Sequence, residues 1–114
     1  MVMGIWSAHG EGKIVLESNS QSELSKILKN NSPFRYADDK ANITENYPFN
    51  PNGSKFGIAG LSSDNGNHLA IMPHPERTFL LSQCQYISQP FKDPSYYYSP
   101  WFKIFINLYN RINE

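Results

Sequence analysis

Two prolines flank His74 in the run Met72-Pro73-His74-Pro75-Glu76-Arg77, restricting the backbone on both sides of a titratable ring. Proline disfavours the helical region for the residue before it, so Met72 and His74 are expected to run extended at the end of an apolar strand. Side chains alternate along extended chain, which would bring His74 and Glu76 to one face. There the carboxylate can accept a hydrogen bond from one ring nitrogen, leaving the other as a base. A carboxylate-oriented imidazole supplies two members of a nucleophile–base–orienter triad, with the nucleophile still to be found. Without context the same spacing also suits an exposed proline-rich turn.

The surrounding 114 residues are enough for one small domain with a core. Ten Lys and Arg balance ten Asp and Glu, and no basic cluster stands out. The electrostatic footprint expected for nucleic acid or for an anionic membrane surface is therefore missing, and neither partner is expected. Cys84 is the only cysteine, which excludes an internal disulfide framework and a multi-cysteine zinc site. No apolar run approaches a membrane span and the first residues lack a signal-peptide pattern, so a soluble, cytoplasmic chain is expected.

Met1 to Trp6 is apolar almost without a break and reads as a strand buried on both faces, of the kind found in parallel sheets. Such a strand needs neighbours on both sides, so the chain is expected to begin inside a larger domain. Ser7-Ala8-His9-Gly10-Glu11-Gly12 follows where α/β sheets carry their ligand loops, and it repeats the His-x-Glu spacing. A zinc deaminase also uses His-x-Glu, but it needs two further cysteines. A glycine-rich turn with a surface histidine remains open at this point.

Lys13 to Ser18 is strand-like, and Ser20 with Glu23 three residues later matches a capping box. Leu24, Ile27 and Leu28 share one helical face, and Asn30-Asn31-Ser32-Pro33 closes the helix. Phe34 to Ala37 is a short strand. Tyr47-Pro48-Phe49-Asn50-Pro51-Asn52-Gly53-Ser54 predicts a tightly turned loop, since proline fixes φ and Asn-Gly tolerates positive φ. Phe56 to Leu61 and His68 to Met72 read as an antiparallel hairpin with a polar tip, His68 being a solvated turn residue.

Thr78 to Tyr86 is a short helix or an irregular link. Its Gln83-Cys84-Gln85 offers no elbow to activate a thiol, so Cys84 is read as an inert cysteine. Gln89 to Ser99 forms an aromatic loop with Tyr96, Tyr97 and Tyr98, suited to packing on another surface or on its own core. Ser99 and Pro100 start a last helix in which Trp101, Phe105, Leu108 and Ile112 make an apolar stripe, widened by Phe102, Ile106 and Tyr109. That helix is expected to dock heavily.

Taken in order, Gly4 to Gly12, Phe34-Arg35-Tyr36-Ala37-Asp38, Thr44 to Pro48 with Asn50 to Ser54, Gly57 to Leu61, Met72 to Arg77 and Ser99-Pro100-Trp101 resemble the glutaminase part of the phosphoribosylformylglycinamidine synthase family. The resemblance covers nearly the whole chain. Pro-His-Pro-Glu alone indicates a class I glutamine amidotransferase. His-Gly-Glu-Gly with Asn-Pro-Asn-Gly-Ser looks specific to the purine-biosynthesis enzyme in its long single-chain form.

What the resemblance implies is a flavodoxin-like, three-layer α/β fold, of which residues 1–114 supply the C-terminal portion as one partial glutaminase domain. It also implies glutamine as substrate, a cysteine thiolate that attacks the side-chain amide, and catalytic roles for His74 as base and Glu76 as its orienter. The rest of the synthetase polypeptide is the implied partner. No cofactor is expected in this chain, which has no Walker-type loop; ATP and Mg belong to the synthetase domain of the full enzyme. The family's glycine-flanked cysteine elbow is absent here, so the chain alone is expected to be inactive. His9 falls beside the glutamine pocket by its place in the resemblance and is given no catalytic role.

Two other readings are carried. One is a non-catalytic remnant or interaction module of the same fold. The other is a metal-dependent hydrolase using His9, Glu11, His74 and Glu76, since imidazole and carboxylate suit zinc or iron.

Overall fold

Alternation of apolar and polar residues gives the chain its one sheet among the described residues, and capping chemistry gives it its helices. The computed structural model describes residues 1–17, 20–87 and 96–114. Two compact units result, one made of residues 9–72 and the other of residues 1–8 with 73–114.

The unit of residues 9–72, called here the sheet unit, contains helix α1 (Gln21–Lys26) and strands β1 (Phe34–Arg35), β2 (Ile58–Ser62) and β3 (Leu69–Ile71). Ser20 starts α1 as the sequence predicts, its hydroxyl oxygen accepting from the Glu23 N–H at 3.5 Å. A π-helical turn, Ile27–Asn31, carries the chain on to the sheet. The strands run antiparallel in the order β1-β2-β3, pairing Phe34 with Gly60 and Gly60 with Ile71.

The expected hairpin is present. Its polar tip closes through Ser63 N–H to the His68 carbonyl and through Asn65 Oδ1, which accepts from the Ser63 hydroxyl and the Asn67 N–H. Buried Ile58, Ala59 and Tyr36 form the apolar centre. Just before β2, Phe56 and Gly57 both adopt positive φ, 55° and 66°. Phe56 is held there by its N–H on Glu45 Oε1 at 2.7 Å and by the Arg35 guanidinium on its carbonyl. A Cβ on Gly57 would come within 2.7 Å of Ile43 Cγ2, so this bend accepts only glycine.

The second unit, called the dyad unit, joins residues 1–8 to the Pro-His-Pro-Glu segment and helix α2 (Phe102–Ile112). Residues 79–81 and 97–99 pair like strands, through Leu81 N–H to Tyr97 O, Ser99 N–H to Phe79 O and a Leu80–Tyr98 bridge. Pro73, Pro75, Thr78, Leu81, Ser99 and Trp101 are buried in it. Both indoles donate to backbone, Trp101 Nε1 to Gly4 O at 2.8 Å and Trp6 Nε1 to Gln83 O at 2.7 Å.

Three expectations need correction. Met1–Trp6 is not a buried strand: Met1 is fully exposed, Val2 and Trp6 are about half exposed, and the segment is tied by single bonds such as His74 N–H to Trp6 O. An apolar run specifies a strand only when neighbouring strands are there to pair with it, and among the described residues none runs alongside. Lys13–Glu17 alternates exposed and half-buried residues as a strand would but lies outside the sheet. Helix α2 forms as predicted but does not dock heavily, since Leu108, Tyr109 and Ile112 are 53%, 69% and 82% exposed. Its start is fixed by Ser99, whose hydroxyl accepts from Trp101 N–H and whose carbonyl accepts from Phe102 N–H. Residues 88–95, which include most of the predicted aromatic loop from Gln89 to Ser99, and Ser18-Asn19 lie outside the described residues.

Candidate functional site

In the dyad unit His74 Nδ1 lies 2.5 Å from Glu76 Oε1, the pairing the sequence predicts. The route to it differs from the expected one. Pro75–Arg77 is a turn of 3-10 helix and not extended chain, and it closes through Arg77 N–H to His74 O and Thr78 N–H to Pro75 O. The prolines account for this. His74 before Pro75 is kept out of the helical region at φ −111°, ψ 85°, while Pro75 itself suits the first position of a turn. One tight turn then carries Glu76 back onto the ring.

The carboxylate is exposed and the ring half-buried. Hydrogen bonding from the His74 ring, followed by that of its own backbone N–H, holds the Glu76 carboxyl below its ordinary value of 4.5. An ionised Glu76 accepts from Nδ1–H, so the Nε2 lone pair is the basic site of the dyad.

Behind the turn sits a group that the sequence does not reveal. Thr78 is completely buried, and its hydroxyl lies 3.2 Å from His74 O and 3.3 Å from Pro75 O. Its carbonyl accepts from the Ser99 hydroxyl and more weakly from Cys84 Sγ, 3.7 Å away. Cys84 Sγ also lies 3.5 Å from Leu80 O, where the thiol can act as a donor.

In the sheet unit the Asn-Pro-Asn-Gly-Ser loop is ordered by buried amide chemistry. Asn50, with no exposed surface, donates to Thr44 O at 3.0 Å and Ser54 O at 2.9 Å and accepts from Ser54 N–H at 3.0 Å. The Ser54 hydroxyl accepts from Ile14 N–H at 3.0 Å. Gly53 takes φ +67°, the conformation its Asn-Gly step predicts. Asn52 reaches back to the other histidine segment, with its Nδ2 2.8 Å from His9 Nδ1 and 2.9 Å from Gly12 O. His9 Nε2 lies 3.5 Å from the Tyr36 hydroxyl. His9 and Glu11 thus do not repeat the His74–Glu76 pairing: Asn52 occupies the place a carboxylate would take on the ring. The loop composition signalled a shaped turn, but a partner 43 residues away along the chain leaves no local mark. Among the described residues no three His, Cys, Asp or Glu side chains are placed to hold a metal ion, and no helix is long and apolar enough to cross a membrane.

The hydrogen-bonded Pro-His-Pro-Glu turn has a geometry in which a carboxylate can orient an imidazole base. A model of the CobB/CobQ-like glutamine amidotransferase domain matches residues 1–111. The chain belongs to this family. Its curated relatives are more particular. Phosphoribosylformylglycinamidine synthase of Dictyostelium discoideum is 50% identical over 93% of the chain, that of Drosophila melanogaster 46% over 96%, and that of Homo sapiens 44% over 96%. The chain spans about 8% of the length of each.

Proposed function

We propose that these residues are the C-terminal part of the glutaminase domain of a phosphoribosylformylglycinamidine synthase, and that His74 and Glu76 are its base and orienter. The observation that carries this reading is the 2.5 Å contact between His74 Nδ1 and Glu76 Oε1 inside a turn anchored by Thr78. A cysteine supplied by chain outside residues 1–114 attacks the glutamine side-chain amide, and His74 Nε2 takes the thiol proton. The imidazolium, stabilised by Glu76, gives that proton to the departing ammonia. Water activated by the same nitrogen then hydrolyses the glutamyl thioester to glutamate and restores the thiol.

Cys84, with its thiol donating to two carbonyls, is not that nucleophile. The chain alone is therefore inactive. In the relatives' longer chains the ammonia would pass to a synthetase site, where ATP chemistry belongs. Domain structure follows the same reading. A flavodoxin-like, three-layer arrangement is completed by chain outside these residues, and the exposed apolar stripe of α2 supports a missing layer, since such a stripe is ordinarily covered.

The test joins this chain to the upstream half of a homologous synthase glutaminase domain and measures ammonia release from glutamine. Activity in the joined protein, falling by roughly 10²- to 10⁴-fold in His74→Ala, is the expected result. A folded joined protein without activity would replace this reading with that of a non-catalytic module of the same fold.

A further inference from the structure

The Asn52 side chain has a donor's surroundings. Its Nδ2 lies 2.9 Å from Gly12 O, 3.3 Å from His9 O and 2.8 Å from His9 Nδ1. Carbonyl oxygens only accept, so two of these three partners require the amide nitrogen, and not its oxygen, on this side of Asn52. An amide nitrogen has no lone pair to offer a ring N–H. His9 Nδ1 therefore accepts, and the proton of the neutral ring resides on Nε2, facing the Tyr36 hydroxyl oxygen 3.5 Å away. The backbone adds a second restraint. A Cβ on Gly12 would lie 2.6 Å from His9 Nδ1 and 2.8 Å from His9 Cγ and would overlap Met72 Cε, so the ring fills the space left by a missing side chain.

We propose that Asn52 is a positioning residue that locks His9 in the Nε2–H tautomer and pins the Gly10–Gly12 bend to the Asn50–Ser54 loop. His9 is then a fixed hydrogen-bond donor and His74 is the base, so the two His-x-Glu segments have opposite roles. The role given to His74 rests on the glutaminase reading, whereas the lock on His9 stands without it.

The test is imidazole NMR on the 114-residue chain labelled with ¹⁵N at histidine and asparagine, at alkaline pH where the rings are neutral. His9 is assigned with His9→Gln. The expected spectrum shows an unprotonated Nδ1, a protonated Nε2 and a scalar coupling across the hydrogen bond between Asn52 Nδ2 and His9 Nδ1. Asn52→Ala should remove the coupling and let the ring average between tautomers. Asn52→Asp, which puts an acceptor where a donor was, should move the proton to Nδ1. A protonated Nδ1 in the native chain, an absent coupling, or tautomer populations in Asn52→Ala equal to the native ones would overturn the proposal. The native spectrum decides even where a variant does not fold. A joined protein lacking glutaminase activity while the coupling persists would remove the His74 role and leave Asn52's intact.

Discussion

At the scale of single residues, the His74–Glu76 pair contributes to the pH response alongside Asp38 and Asp64, whose carboxyls are also held below their ordinary value. Because the folded Glu76 carboxyl titrates below 4.5, its bond to His74 contributes stability above that value, and the contribution is lost as pH falls through the folded value. Acid unfolding of the native chain should therefore lose a component over that range that Glu76→Gln lacks. The difference is small because Glu76 is exposed. Coincident acid-unfolding curves for the two proteins would refute the assignment. Under the proposed roles, Glu76→Gln in the joined protein should lower glutaminase turnover by roughly 10²-fold or more, since the base would lose its orienter. Gly12→Ala should displace the His9 ring, because the added methyl would overlap it, and should shift its NMR signals. His74 and Glu76 were legible in the sequence because they are two residues apart and bracketed by proline. Asn52 and Thr78 were not, since their roles depend on carbonyls brought to them by folding.

Among the elements, the hairpin and α1 could be read from local pattern, because strand alternation and a serine cap act over a few residues. Met1–Trp6 and the docking of α2 could not, as burial depends on what lies opposite. The Asn50–Ser54 loop shows how a polar element can serve as core. Asn50→Ala would leave Thr44 O and Ser54 N–H without their partner in a site with no exposed surface, while Ser54 O keeps its bond from Gly57 N–H. Each orphaned group costs about 1–3 kcal/mol, so the sheet unit should lose roughly 2 kcal/mol or more. Hydrogen exchange of the β2 amides gives the measure, and unchanged protection would contradict the role given to Asn50. The α2 stripe predicts that the isolated chain binds a hydrophobic dye. Leu108→Glu with Ile112→Glu should reduce that binding without altering helix content by circular dichroism.

For the molecule as a whole, the family assignment and the Cys84 environment together predict a chain that cannot start the reaction. A glutamine analogue carrying an electrophilic carbon at the amide position should leave its mass unchanged, whereas an adduct on Cys84 would restore that thiol as nucleophile. The division into two units adds an optical consequence. Both tryptophans of the chain, Trp6 and Trp101, belong to the dyad unit, where each indole N–H is bonded to backbone. Fluorescence excited where only indole absorbs will therefore follow the melting of the unit that carries His74 and Glu76. The sheet unit, whose described aromatic rings are phenylalanine and tyrosine, will be dark to the same light.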